Sequence, residues 1–519
     1  MRHVAMAVCF AVGLVSAGFA GERLVVHEWG TFTSFQNESG EGLRRINTDD
    51  EPVPPFVHQL GRDSLFSPTQ MLVERAENLS QGAPYADPQV TMRLETPVLY
   101  FHLPRGVKTV TLDVSVNFHH GVLTQFFPQA DATVDGQPVK QYQFPNGFVA
   151  LGSLRWSRVR VGEAGAMPNT TEHVWLAPRQ VDAAPVTVGE ESERFLFYRG
   201  VGDNASPLRV IRRPNQMLDV RIERAAPGEV AANHPQTPPA RPDQRPRRPR
   251  LDGVTTDPLE TQPFPFAANT SWNTIAQRRH LWLLDVRRDG IAAYRRLPQL
   301  SSDRHEHDPD RLFVTPGTFP DNEFSKGNLA ALRAEMREAL IVDGLFGDEA
   351  EALLNTWELS YFKSPGQRLF FLVPRAWTDA VLPLKLSVPS DVTRVMVGRI
   401  ELVTPRQREL IVKIADSPIP DLTAVLNQMR ELQQDPSRRE AYNALASGRG
   451  DSSILGVPVP PVYQAFLDLG RFRTSLLMDA LERDKMAGTK RMDRVRHLQF
   501  ELLYPGKLKR ESDPATLRP

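Results

Sequence analysis

Histidines set among carboxylates are the residues of this chain best suited to chemistry. The segment Asp303-Arg304-His305-Glu306-His307-Asp308-Pro309-Asp310 places two imidazoles two positions apart. In extended backbone, alternate side chains point the same way, roughly 6 to 7 Å apart, so His305 and His307 can share one zinc ion. Asp303 or Asp308 would add an oxygen ligand. Pro309 argues against a helix, on which an i, i+2 pair would diverge. The same residues also read as an exposed polar loop, because no third ligand stands at a recognised metal-site spacing. His119-His120 is a second candidate, although neighbours on a strand straddle the pleat and only one of them can face a shared site. With His58 and His102 it forms a histidine-rich β region. The metal set expected from these residues is His305, His307 and Asp308, joined by His119, and zinc is the ion that it would hold.

A third candidate is Val26-His27-Glu28-Trp29-Gly30-Thr31-Phe32-Thr33-Ser34. With a period of two, His27, Trp29, Thr31 and Thr33 share one strand face and Glu28, Gly30 and Phe32 the other. His27 and Glu28 therefore diverge and make a poor acid–base pair unless a bulge intervenes. An aromatic plane beside hydroxyls could stack a sugar ring or a peptide, which makes His27, Trp29, Thr31 and Thr33 a candidate ligand-binding face. The alternative is that Trp29 and Phe32 fill the core and His27 makes a buried hydrogen bond.

Other chemistry is excluded. There is no Gly-x-Ser-x-Gly elbow, P-loop or His-Glu-x-x-His helix. Arg449-Gly450-Asp451 matches an adhesion tripeptide, but three residues carry little information. The single cysteine, Cys9, lies in the apolar N-terminal stretch, so cysteine zinc sites and cysteine nucleophiles are not expected in the mature chain.

The elements that must position these residues are legible as patterns. Thr109 to Phe118 alternates apolar and polar side chains, the mark of a half-buried antiparallel strand. Val98-Leu99-Tyr100-Phe101 is apolar throughout and predicts a strand covered on both faces. Strands are also predicted over 154–161, 195–199, 217–223, 368–373 and 392–402, with a closing strand over 497–504. Asp135-Gly136 and Asn146-Gly147 predict tight turns, and Asp289-Gly290 predicts a hairpin between 281–284 and 291–294. Leu329, Leu332, Met336 and Leu340 predict a helix that ends before Gly344. Ala350, Leu353, Leu354, Trp357 and Tyr361 predict a second. Further helices are predicted over 406–415, 420–433, 437–446 and 461–483.

The expected fold is α+β: an antiparallel, sandwich-like β region over 21–225, a mixed α/β region over 264–404 packed on it, and a mainly helical region over 405–519. Residues 226–263 carry nine prolines, six of them within 235–249 beside a run of arginines, and cannot bury enough apolar surface to fold, so a disordered linker or insertion is expected.

Residues 1–20 have the pattern of a secretory signal: Arg2 and His3, an apolar stretch too short to span a bilayer comfortably, and small residues at Gly18 and Ala20. A periplasmic or secreted protein with no transmembrane anchor after cleavage is expected. Lysine plus arginine equals aspartate plus glutamate, 62 of each, so nothing in the overall charge attracts nucleic acid.

His27-Glu28-Trp29-Gly30-Thr31-Phe32-Thr33 resembles the opening motif of a group of uncharacterised exported bacterial proteins. Glu95-Thr96-Pro97-Val98-Leu99-Tyr100-Phe101, Phe195 to Gly200, Pro374 to Thr378 and Arg394 to Arg399 are similar to that group as well. The resemblance spans roughly residues 24 to 404 and implies export and architecture, but no catalytic residue. The chain departs from the group at Gln125-Phe126-Phe127-Pro128, where Glu-Trp-Tyr-Pro is expected, and in its long basic linker. Two functions fit these readings: an envelope or secreted protein that binds a surface carbohydrate, peptide or protein partner, and a metal-dependent zinc hydrolase with a histidine–carboxylate site.

Overall fold

A computed structural model describes residues 22–46, 53–60, 79–80, 83–84, 89–139, 151–223, 280–297, 310–418, 420–446 and 448–489. The fold is α+β. The principal strands are β1 (Leu24–Gln36), β2 (Met92–His102), β3 (Val110–His119), β4 (Gly121–Phe127), β5 (Leu151–Val161), β6 (Leu196–Gly202), β7 (Leu281–Val286), β8 (Ala292–Arg296), β9 (Gly366–Leu372) and β10 (Ser390–Leu402). The longer helices are α1 (Asn328–Val342), α2 (Gly347–Thr356), α3 (Arg375–Val381), α4 (Pro405–Asp416), α5 (Thr423–Gln434), α6 (Arg439–Ala446), α7 (Pro461–Asp468) and α8 (Arg473–Met486).

One sheet organises the molecule. From β5 its order runs β5-β4-β6-β2-β1-β10-β9-β7-β8, and β3 branches off β5 to pair with the short strand Leu384–Leu386. β1 sits near the middle, and of its 13 residues all but Val25 are buried. A strand buried on both faces needs a partner on each edge. β1 has β2 antiparallel on one side and β10 parallel on the other, in register from Leu24↔Ser390 to Gln36↔Leu402. The stretch 264–404 thus does more than pack on the N-terminal region: it completes the same sheet through β7 to β10.

Two apolar layers cover the sheet. Trp29, Val98, Tyr100, Phe197, Trp282, Phe370 and Val397 meet Leu332, Met336 and Leu340 of α1 and Leu353 and Leu354 of α2. On the opposite side Val26, Phe32, Leu99, Phe101, Phe371 and Ile400 join a larger core that includes Ile411 of α4, Val462 of α7 and Leu477 of α8.

Most predicted elements form within a few residues of their expected bounds, including the 281–294 hairpin with Gly290 at φ +77°. The helix expected over 461–483 is two helices, because Gly470, at φ +86°, turns the chain between α7 and α8. The second predicted helix stops at Thr356, and a π-helical turn over Leu359–Lys363 stacks Tyr361 on Trp357. Helix α3 carried no sequence signal strong enough to predict it. The apolar N-terminus, the 226–263 stretch, Asn146-Gly147 and the predicted strand 497–504 lie outside the described residues.

Candidate metal centre and its buried polar belt

The opening motif owes its arrangement to a bulge in its neighbour. Trp29 pairs with Val98 and Thr31 with Glu95, so Thr96 and Pro97 together oppose Gly30. Thr96 takes φ +45°, a rare conformation for a β-branched residue, and a Cβ on Gly30 would lie only 3.1 Å from Pro97 Cα. One extra residue reverses the facing of everything beyond it. Val98 and Tyr100 face the α1–α2 layer, whereas Met92 and Leu94, also even-numbered, face the opposite core. The bulge thereby turns Arg93 and Glu95 toward the face that carries Thr31 and Thr33.

At one end of this face stand His27 and His102. Val25 pairs with His102, so the two histidines are diagonal neighbours, with ring centroids 5.3 Å apart. Glu349 reaches them from the first turn of α2. Its Oε2 lies 2.7 Å from His27 Nδ1 and its Oε1 3.0 Å from His102 Nε2. A carboxylate only accepts, so each imidazole donates an N–H to it. The Phe346 backbone N–H also donates to Oε2 at 2.8 Å, as expected of a glutamate at the third position of a helix. Burial pushes the Glu349 pKa up, but the hydrogen bonds from His102, His27 and Phe346 outweigh it and bring it from 4.5 down to about 2. The Phe346 ring covers the group, 4.6 Å from the His27 ring and 4.9 Å from that of His102, and is itself 48% exposed.

His27 Nδ1 or Nε2, His102 Nδ1 or Nε2 and a Glu349 oxygen offer three ligand atoms within 4.8 Å of one another. A tetrahedral zinc ion about 2.1 Å from each ligand needs them about 3.4 Å apart. The two hydrogen-bonded contacts are shorter than that, while the group as a whole lies within 4.8 Å, so binding would replace both N–H···O hydrogen bonds and readjust the three side chains around the ion. Three protein ligands leave the fourth position to water or substrate, the pattern of catalytic zinc.

At the other end the belt is charged. Glu95 is fully buried, accepts from Thr33 Oγ1 at 2.7 Å, and is held by Arg93 at 2.8 Å, Arg471 at 3.0 Å and Arg399 at 3.2 Å. Burial raises its pKa, and Arg93, Arg399 and Thr33 together pull it below the ordinary carboxylate value. Thr31 donates to the Val397 carbonyl and accepts from the Tyr361 hydroxyl. On the opposite face Glu28 accepts from Tyr198 at 2.6 Å and from Arg394, whose Nη1 reaches Asp379 at 2.8 Å. Burial and the Glu28 charge push the Tyr198 pKa well up. His27 and Glu28 thus serve separate networks.

The candidate residues read from sequence separate as follows. Trp29, Thr31 and Thr33 have no exposed surface and His27 has 4%, so they form no open stacking face; Trp29 packs in the core. His305, His307 and Asp308 lie outside the described residues. His119 ends β3, and its carbonyl accepts from Asn204; it does not belong to the His27–His102–Glu349 group. His58 pairs with Glu191 at 2.8 Å. Gln125, at the departure from the expected motif, is buried and registers opposite Arg199. Glu349 escaped sequence reading. Its one signal is a glutamate in the first turn of an amphipathic helix, which by itself indicates only a cap. No protein-family model matches this chain, and a comparison with curated proteins finds no match.

Proposed function

We propose that this chain is an exported metalloprotein in which His27, His102 and Glu349 hold one zinc-class divalent ion, and that the centre serves metal-assisted hydrolysis. The observation that carries the reading is the convergence of two imidazoles and one carboxylate, from three separate elements, within 4.8 Å. Two nitrogens and one oxygen suit zinc, and an ion so held lowers the pKa of a water bound in the fourth position to near neutrality. Phe346 and the apolar layer beneath the histidines supply a partly dry surround, which strengthens such polarisation. Export rests on the apolar N-terminus and on the resemblance carried by the opening motif.

Metal analysis of protein purified without chelators tests the proposal. One equivalent of zinc, lost in His27→Ala, is expected; metal-free protein that also fails to take up added zinc overturns it. A second reading has its own support in the 2.7 and 3.0 Å separations, which are ordinary hydrogen-bond lengths. On that reading Glu349 is a structural clasp that fixes α2 to the sheet, and the metal-free outcome would establish it.

A further inference from the structure

A cleft of about 240 Å³ lies away from the histidine centre, between the start of β10, α3 and the short strand Leu384–Leu386. Leu384, Leu386, Val388 and Val392 give it an aliphatic side, and the guanidinium groups of Arg375 and Arg394, the Asp379 carboxylate and Ser390 make up the polar rest of its wall. Arg394 is 2% exposed at its side chain. It donates through Nε to Glu28 and through Nη1 to Asp379, while its buried Nη2 has no hydrogen-bond acceptor among the described residues. Arg375 donates through Nε to Asp379 and through Nη1 to the Val392 carbonyl. A buried guanidinium that keeps an unmatched N–H pair pays a desolvation penalty that a ligand oxygen would relieve.

The cleft also borders an open strand edge. Leu384–Leu386 pairs only with β3 among the described residues. Asn117 N–H donates to the Pro383 carbonyl, and Ser387 N–H to the Asp113 carbonyl. Hydrogen-bonded positions alternate along an antiparallel pair, so the peptide groups of Leu384 and Leu386 point away from β3.

We propose that this cleft binds a carboxylate with a branched aliphatic body, its oxygens on Arg375 and Arg394 and its hydrocarbon against Leu384, Leu386, Val388 and Val392. Two sources share that chemistry: a free branched-chain carboxylic acid, and the C-terminal residue of an extended peptide. The peptide would also add to the open edge, a recognised mode of peptide capture. The proposal is independent of the metal centre.

Calorimetric titration of the whole chain in EDTA, with N-acetyl-Ala-Leu, its C-terminal amide and 4-methylpentanoate as probes, tests it. Saturable binding of N-acetyl-Ala-Leu is expected, about tenfold or more weaker for the amide, since a charge-assisted contact is lost. Tighter binding of the peptide than of 4-methylpentanoate assigns the peptide source; equal binding assigns the free acid. Arg375→Gln, on a half-exposed side chain, should weaken both carboxylates about tenfold. Asp379→Asn, which removes a competing carboxylate, should tighten them. Leu386→Trp should fill the cleft and abolish binding. Equal affinity for acid and amide, no effect of Arg375→Gln, or no binding at millimolar concentration overturns the proposal.

Discussion

His27 and Glu349 stand 322 residues apart in the chain and 2.7 Å apart in the fold. The contact depends on β1 lying at the centre of the sheet and on α2 crossing that sheet with its N-terminal turn over the strand's beginning. His102 shares the same carboxylate from the neighbouring strand, so a single side chain of α2 engages two strands. If the group holds metal, the expected pattern across variants is selective. His27→Ala, His102→Ala and Glu349→Ala should each lose stoichiometric zinc, whereas His58→Ala and His119→Ala should retain it. Added zinc at about 100 times its dissociation constant should stabilise the wild type by about 2.7 kcal/mol and leave Glu349→Ala unmoved. Elemental analysis and thermal unfolding with and without zinc check both halves.

Acid should weaken the metal-free protein through the same carboxylate. Glu349 has a folded-state pKa of about 2 against an ordinary 4.5, so the unfolded chain takes up its proton first as the pH falls. Its stabilisation is therefore complete above about pH 4.5 and is lost as the pH drops toward 2. The shift corresponds to about 3 kcal/mol. Glu349→Gln should lose that amount at neutral pH and show a flatter stability profile between pH 4.5 and 2. Urea unfolding of both proteins in EDTA across that range measures it; parallel profiles would show that Glu349 does not carry the acid sensitivity.

What could be read without the fold follows a physical division. Local patterns announce themselves: the alternation of Val110 to Phe118 gives β3, and Asp289-Gly290 gives the β7–β8 turn, because strand period and turn chemistry are set by adjacent residues. The facing of His27, Trp29, Thr31 and Thr33 follows from the same period. What those side chains meet does not. Pairing of β1 with β10 joins residues more than 360 positions apart, and nothing in either segment specifies the other as a parallel partner. The bulge at Thr96-Pro97 is equally opaque, because Glu95-Thr96-Pro97 reads simply as extended chain until Gly30 is seen opposite it. From sequence Trp29 reads both as a residue of a binding face and as a core aromatic, and the packing of α1 and α2 over it decides for the core.

Glu95 should prove indispensable to stability. It is the carboxylate on which Arg93, Arg399 and Arg471 converge, and none of them can shed its charge in a protein interior. Glu95→Gln keeps the volume and removes the negative charge, so about 3 to 5 kcal/mol should be lost, the usual consequence of stranding one side of a buried ion pair. Thr33→Val removes one hydrogen bond to the same carboxylate and should cost about 1 kcal/mol. Denaturant midpoints of the two variants give the comparison. A Glu95→Gln loss no larger than that of Thr33→Val would show that the surrounding arginines are neutralised by other groups.

Phe346 offers a way to separate holding a metal from guarding it. Its ring lies against both imidazoles while nearly half its surface faces solvent, and its backbone N–H, rather than its side chain, fixes Glu349. Phe346→Ala therefore keeps all three ligands and the helix-cap hydrogen bond but removes the cover. Zinc stoichiometry should stay at one, because affinity is set chiefly by the ligands and their hydrogen bonds. The rate at which EDTA strips the metal should rise, since the ion becomes reachable without displacing an aromatic ring. If the centre is hydrolytic, the same variant should admit bulkier substrates, with the change falling on KM more than on kcat, because ligand geometry and metal charge are untouched. Unchanged stripping kinetics would mean that chelators reach the ion from another side and that Phe346 serves only to pack α2 against the histidines.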